Sequence, residues 1–135
     1  GKKVRGKKRH ILTDTLGLLL EARVHSASVQ DRDGGGPLLK AARALFPGIR
    51  RVFADGAYDH ERVTGATDII VEIVRKPPDQ VGFVVLPRRW VVERTFAWLG
   101  RCRRLAKDWE NLDRRALAFL HLASIRLMLR KICNA

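Results

Sequence analysis

The chain has 135 residues, room for one compact domain and too few for a second independent core. It is 46% hydrophobic and 30% charged, which excludes wholesale disorder and an integral membrane protein. Twenty-seven Lys and Arg against fourteen Asp and Glu leave a formal charge of +13, a field that implies a polyanionic partner.

The first ten residues, GKKVRGKKRH, are basic and have no apolar stretch ahead of a cleavage site. They are not a signal peptide and read as an internal cut through a longer polypeptide. Lys2, Lys3, Arg5, Lys7, Lys8 and Arg9 either track a DNA backbone or form a solvated flank, and the overall charge favours DNA. Residues 9–13 and 17–25 are expected as two strands around the turn Asp14-Thr15-Leu16-Gly17, the second alternating with a period of two. Asp31-Arg32-Asp33-Gly34-Gly35-Gly36 reads as a breaker cluster whose aspartates cap a helix beginning at Pro37 and ending at Pro47-Gly48.

Residues 49–54 form a short strand ending at Asp55-Gly56, residues 60–63 a turn of helix, and residues 68–74 an apolar strand suited to a sheet interior. Pro77-Pro78 and Gly82 mark a loop. Helical periodicity then runs from 87 to 107, with Val91, Val92, Thr95, Phe96, Trp98, Leu99 and Cys102 on one apolar face, and a last helix covers 114–132. The apolar region 116–129 is interrupted by His121, Ser124 and Arg126 and falls short of the roughly 20 residues that span a bilayer. This order predicts an α/β domain, a mixed sheet covered by helices. Cys102 and Cys133 lack ligand spacing, so neither a disulfide framework nor a structural zinc site is supported, and a reducing cytosol is the simplest compartment. His10, His25, His60 and His121 show no ligand spacing and receive no role.

Two acids stand out. Asp55 closes a strand beside Gly56, where ligands gather in open α/β sheets; it is either a cation ligand or the cap of an Asp-Gly turn. Glu93 is the lone acid between residues 80 and 106, on a helical stripe with Arg89, Ala97, Gly100 and Arg104, and Arg101 adjoins. The small residues admit a bulky ligand and the arginines fork onto phosphate, although an i,i+4 salt bridge from Arg89 to Glu93 explains the pattern equally well. Carboxylates embedded in a basic surround suit phosphodiester chemistry assisted by Mg²⁺. Trp98 shares the apolar face and reads as core, whereas Trp90 is the better candidate to stack on a base. Tyr58 either touches phosphate or packs.

The segments GKKVRGKKRHILTDTLGLLL, ASVQDRDG, VFADGAYD and GFVVLPRRWVVERTFAWLGRCRRLAKDWE resemble the C-terminal half of the catalytic domain of bacterial insertion-sequence transposases. The branch resembled is the DDE type, within the insertion-sequence-five family. The resemblance implies a ribonuclease-H-like fold, here without its first strand, and DNA cleavage and strand transfer dependent on Mg²⁺ or Mn²⁺. It places the second catalytic Asp at Asp55 and the catalytic Glu at Glu93, both as metal ligands. Transposon-end and target DNA are the implied partners, contacted by Lys7, Lys8, Arg9, Arg88, Arg89, Trp90, Arg94, Arg101 and Arg104. A homo-oligomer in the cytoplasm, at the nucleoid, is also implied.

Of the signature around the Glu, Arg89 matches, while Leu86 stands at the Tyr position and Gly100 at the Lys position, with Arg101 as a substitute phosphate contact. The first catalytic Asp of the family lies upstream of the GKKV-type segment, and Asp14 matches a non-catalytic position. The chain is therefore expected to bind DNA and to cleave it poorly. The rival is a non-catalytic DNA-binding remnant or accessory module; a ribosomal-type RNA binder is the third reading, on charge alone.

Overall fold

A computed structural model describes residues 5–134, so Lys2 and Lys3 of the basic segment lie outside the described residues. Strands β1 (Lys7–Thr13) and β2 (Leu19–Ser26) form an antiparallel hairpin, with Lys7 opposite Ser26 and Leu12 opposite Glu21. Its turn is held by Asp14, whose Oδ1 accepts from the amides of Leu16 at 2.9 Å and Leu18 at 2.8 Å. Gly17 takes φ 86°, the left-handed conformation that a residue without Cβ adopts freely.

Helix α1 (Asp31–Leu45) begins well before Pro37, so Gly34, Gly35, Gly36 and Pro37 lie inside it and break nothing. The reason is tertiary. A Cβ at Gly34 would stand 2.5 Å from His10 Nε2, one at Gly35 2.8 Å from the Tyr58 ring, and one at Gly36 2.4 Å from the Arg62 carbonyl oxygen. Glycine is a poor helix former by about 1 kcal/mol per residue, and close packing overrides that local preference. Asp31 and Asp33 do not cap: the N-cap is Gln30, without a side-chain cap bond. Instead Asp31 pairs with Lys8 at 3.0 Å and Asp33 with Arg62 at 2.5 Å, binding the first turn of α1 to its neighbours.

Strands β3 (Arg51–Ala54) and β4 (Ile70–Ile73) pair in parallel, with the single-turn helix α2 (Glu61–Thr64) in the crossover. Among the described residues the hairpin and this pair are two separate two-stranded sheets, where the sequence led us to expect one mixed sheet. No described strand bridges β1 to β3; α1 does so by packing, since Leu38 and Ala42 cluster with Leu12, Leu20, Ile49 and Val52. With a single partner, β4 is not a sheet interior, and Ile70 and Glu72 are exposed.

Helix α3 (Trp90–Gly100) is shorter than the expected 87–107. Arg88 at φ 68° delays its start, and after Gly100 the chain becomes extended at Cys102, with ψ 115°, before a 3-10 turn at Arg103–Leu105. Helix α4 (Asp113–Cys133) closes the second core, in which Leu120 and Ala123 pack with Ala22, Leu99 and Leu105. The buried Thr95 donates its hydroxyl to the Gly17 carbonyl at 2.7 Å and Arg94 Nη2 donates to the Leu16 carbonyl at 2.9 Å, docking α3 on the hairpin turn.

The two ends of the glycine scale offer a test. Gly36→Ala should destabilise the fold by about 1–2 kcal/mol in urea unfolding, overpacking outweighing the gain in helix propensity. Gly100→Ala, whose added Cβ meets nothing within 4 Å, should be neutral or slightly stabilising. Equal effects from the two would dismiss close approach as the reason for glycine at position 36.

Candidate functional site

Asp55 follows β3 directly and opens a 3-10 turn at Gly56–Tyr58. Its Oδ1 accepts from the Ala57 amide at 2.9 Å, so the capping role is real, and it occupies one carboxylate oxygen. Three residues on, the Tyr58 hydroxyl lies 2.6 Å from His10 Nδ1 on β1. Burial, then the nearby Asp31 and Asp55 carboxylates, push the Tyr58 phenol well above its ordinary value, so it keeps its proton and donates. Burial, then the neighbouring His25, push His10 down to about 4, so its imidazole is neutral and Nδ1 accepts. The Nε2–H is left facing Asp31 Oδ1 at 4.0 Å, with no hydrogen bond of its own. Sequence reasoning gave His10 no role and left Tyr58 open. The pair joins β1 to the turn that carries Asp55, a link between residues 48 apart for which no local signal exists.

Glu93 lies in the first turn of α3 and is 59% exposed, with Arg89 Nε at 3.7 Å from its Oε1. The i,i+4 pair is therefore present, but so exposed a pair holds the carboxylate only weakly. Just before α3, the Arg88 guanidinium sits 4.3 Å over the Phe53 ring on β3, two residues ahead of Asp55. That contact ties the approach to the Glu93 helix to the strand that ends in Asp55. No hydrogen bond or ion pair joins the two carboxylates among the described residues, and no group of three His, Cys, Asp or Glu there could hold a metal ion. The donors present, two carboxylates on separate elements, have the hard-oxygen chemistry of Mg²⁺ or Mn²⁺, ions that complete their shells with water and phosphate.

The basic candidates divide into two sets. Lys7 pairs with Asp113 at 2.5 Å, Lys8 with Asp31, and Arg9 with Asp108 at 3.3 Å, all as internal ties. Arg94 is held between Trp90 and Trp98, its guanidinium 4.4 and 4.6 Å from the two rings. Arg104 lies off α3, pairing with Glu110 and covering Phe119. Arg88 and Arg89, just before α3, and Arg101, at its C-terminal end, remain exposed. Trp90 is 40% exposed with Arg94 on its ring, while Trp98 is partly buried and also faces Lys131 at 5.0 Å.

The family described as "Transposase DDE domain" matches residues 1–128, and the chain belongs to it. It is similar to a putative transposase for insertion sequence element IS402 from Burkholderia cepacia, 37% identical over 137 residues. That alignment covers 95% of this chain and 63% of the relative, so the chain spans under two thirds of that protein's length. No solved structure matches it.

The burial of His10, beside His25, makes stability depend on pH. As pH falls the unfolded chain, whose imidazole has its ordinary value of 6.5, takes up the proton before the folded one does. This contribution is full above pH 6.5 and drains between there and about pH 4, by up to roughly 3 kcal/mol. Urea unfolding at stepped pH should show that loss, and His10→Asn should lack this component. Identical pH slopes in the two proteins would rule out His10 as its source.

Proposed function

We propose that the chain is the C-terminal part of a transposase catalytic domain of ribonuclease-H-like fold, with Asp55 and Glu93 as two of its three catalytic carboxylates. The observation that carries this reading is the stacking of Arg88 on Phe53, which holds the approach to the Glu93 helix against the strand ending in Asp55. A second feature supports it. β1 and β3 each have a single strand partner, and α1 packs over both. One more strand, antiparallel to β1 and parallel to β3, would pair with both and make a single mixed sheet. In the whole protein an upstream segment would supply that strand and, at its end, the first carboxylate.

In the intact enzyme Asp55 and Glu93 would hold Mg²⁺ or Mn²⁺, which supplies charge neutralisation at the reacting phosphate and eases deprotonation of the attacking oxygen. Arg88, Arg89 and Arg101 orient the phosphate oxygens of the transposon end, their forks matching phosphate geometry. Trp90 offers its accessible edge to an unpaired base. Water attacks phosphorus at the transposon end, a P–O bond forms, and the bond to the 3′ oxygen breaks, freeing a 3′-OH. That hydroxyl then attacks a phosphodiester of target DNA, joining the strands and releasing a target 3′-OH. The reaction runs in the cytoplasm on nucleoid DNA, in a homo-oligomer. No described helix is long and apolar enough to cross a membrane.

A second reading, a DNA-binding remnant or accessory module without catalysis, is favoured by one observation: no three-donor group lies among the described residues. The 135-residue chain should bind duplex DNA with an affinity that falls steeply with salt, and should leave supercoiled plasmid intact in Mg²⁺. A longer protein that includes the upstream strand should nick transposon-end DNA, and Asp55→Asn or Glu93→Gln should reduce nicking to background without weakening binding. Robust Mg²⁺-dependent nicking by the short chain would overturn its incompleteness. Full nicking by the Glu93→Gln protein would overturn the site, and binding without nicking by the longer protein would leave the second reading.

A further inference from the structure

We propose that the exposed face of α4 is a docking surface for an amphipathic helix with acidic flanks, carried by a protein partner. One side of α4 buries Ala116, Leu120, Ala123 and Ser124. The other presents Leu122, Ile125, Leu129 and Ile132, each more than half exposed. Their spacing of three, four and three residues forms the seam on which one helix packs against another. Leu122, Ile125 and Leu129 line a shallow groove of about 500 Å³ together with Arg126 and Arg130. A continuous aliphatic stripe in water is the mark of an interaction surface, whereas isolated exposed aliphatics are not.

Charge chooses the occupant. α4 carries Arg114, Arg115, Arg126, Arg130 and Lys131 against one acid, Asp113, and Asp113 is already paired with Lys7. None of those five basic residues has a carboxylate partner among the described residues. A second copy of α4 laid on the seam would bring two basic helices together with no acid of α4 left to offset them, since Asp113 is paired. DNA would satisfy the arginines and leave the aliphatic stripe in water. A helix with Leu or Ile on its seam and Glu or Asp at its flanks satisfies both, since apolar contact supplies affinity and the charges select the partner. This surface stands apart from Asp55 and Glu93, so its test does not depend on nicking.

The probes are two synthetic helical peptides with the same leucine seam, one flanked by Glu and one by Lys, titrated against the full chain by fluorescence anisotropy. The Glu peptide should bind about tenfold more tightly than the Lys peptide. Ile125→Glu with Leu129→Glu should abolish binding and leave thermal unfolding unchanged, because both side chains are exposed. Arg126→Glu with Arg130→Glu should reverse the order of the two peptides. Equal binding of both peptides, or binding of neither, would overturn the proposal. So would a concentration-dependent dimer in sedimentation that Ile125→Glu dissolves, or displacement of the Glu peptide by duplex DNA that is insensitive to Leu129→Glu.

Discussion

The close approach of α1 to the hairpin and to the turn after β3 organises the rest of the molecule. Three consecutive residues without a Cβ face His10, Tyr58 and the Arg62 carbonyl, so the backbone of α1 lies where any other residue would collide. Once α1 is seated there, His10 and Tyr58 are forced into a dry space and must satisfy one another, and the 2.6 Å contact between them follows. The same seating brings Asp31 to Lys8 and Asp33 to Arg62, so the first turn of α1 becomes an electrostatic junction between β1 and α2. Two sheets that share no strand pairing are thereby joined through a helix.

A charge of +13 does not mean thirteen free cations spread evenly over the surface. Lys7, Lys8 and Arg9 are drawn onto Asp113, Asp31 and Asp108, where they tie the start of β1 to elements far along the chain. Arg94 is held between two tryptophans. Exposed cations without a carboxylate partner among the described residues remain on several elements: Arg23 on β2, Arg32 and Lys40 on α1, Arg50 before β3, Arg88 and Arg101 at the two ends of α3, and the arginines of α4. Pairing therefore weakens the field at the start of β1 and leaves it to several other elements, among them the start of α3, where Glu93 is the acid of the first turn.

Local signals and long-range packing account for what the sequence made legible. The hairpin was readable because alternation in β2 and the Asp14 turn are local, and its strands fall within two residues of expectation. Asp55 at a strand end and Glu93 on a helix were readable for the same reason. The glycines of α1 were misread as a breaker because propensity is local and the contacts that override it, with His10, Tyr58 and Arg62, lie 23 to 26 residues away in sequence. The delayed start of α3 depends on a left-handed arginine, a conformation that composition does not announce. The roles of His10 and Arg94 require knowing which rings surround them, and the division into two sheets requires knowing which strands find no common neighbour.

The hairpin serves as a common datum for both acids, a consequence of how α3 is attached. Glu93 is referenced to the tip of the hairpin, through Thr95 and Arg94 on the Gly17 and Leu16 carbonyls. Asp55 is referenced to the middle of its first strand, through Tyr58 on His10. The spacing of the two carboxylates thus depends on hairpin shape as well as on the direct Arg88–Phe53 contact: a change in the twist or coil of the hairpin shifts one point of attachment relative to the other with neither local bond broken. Anything that flattens or stiffens this two-stranded ribbon tunes the gap from a distance.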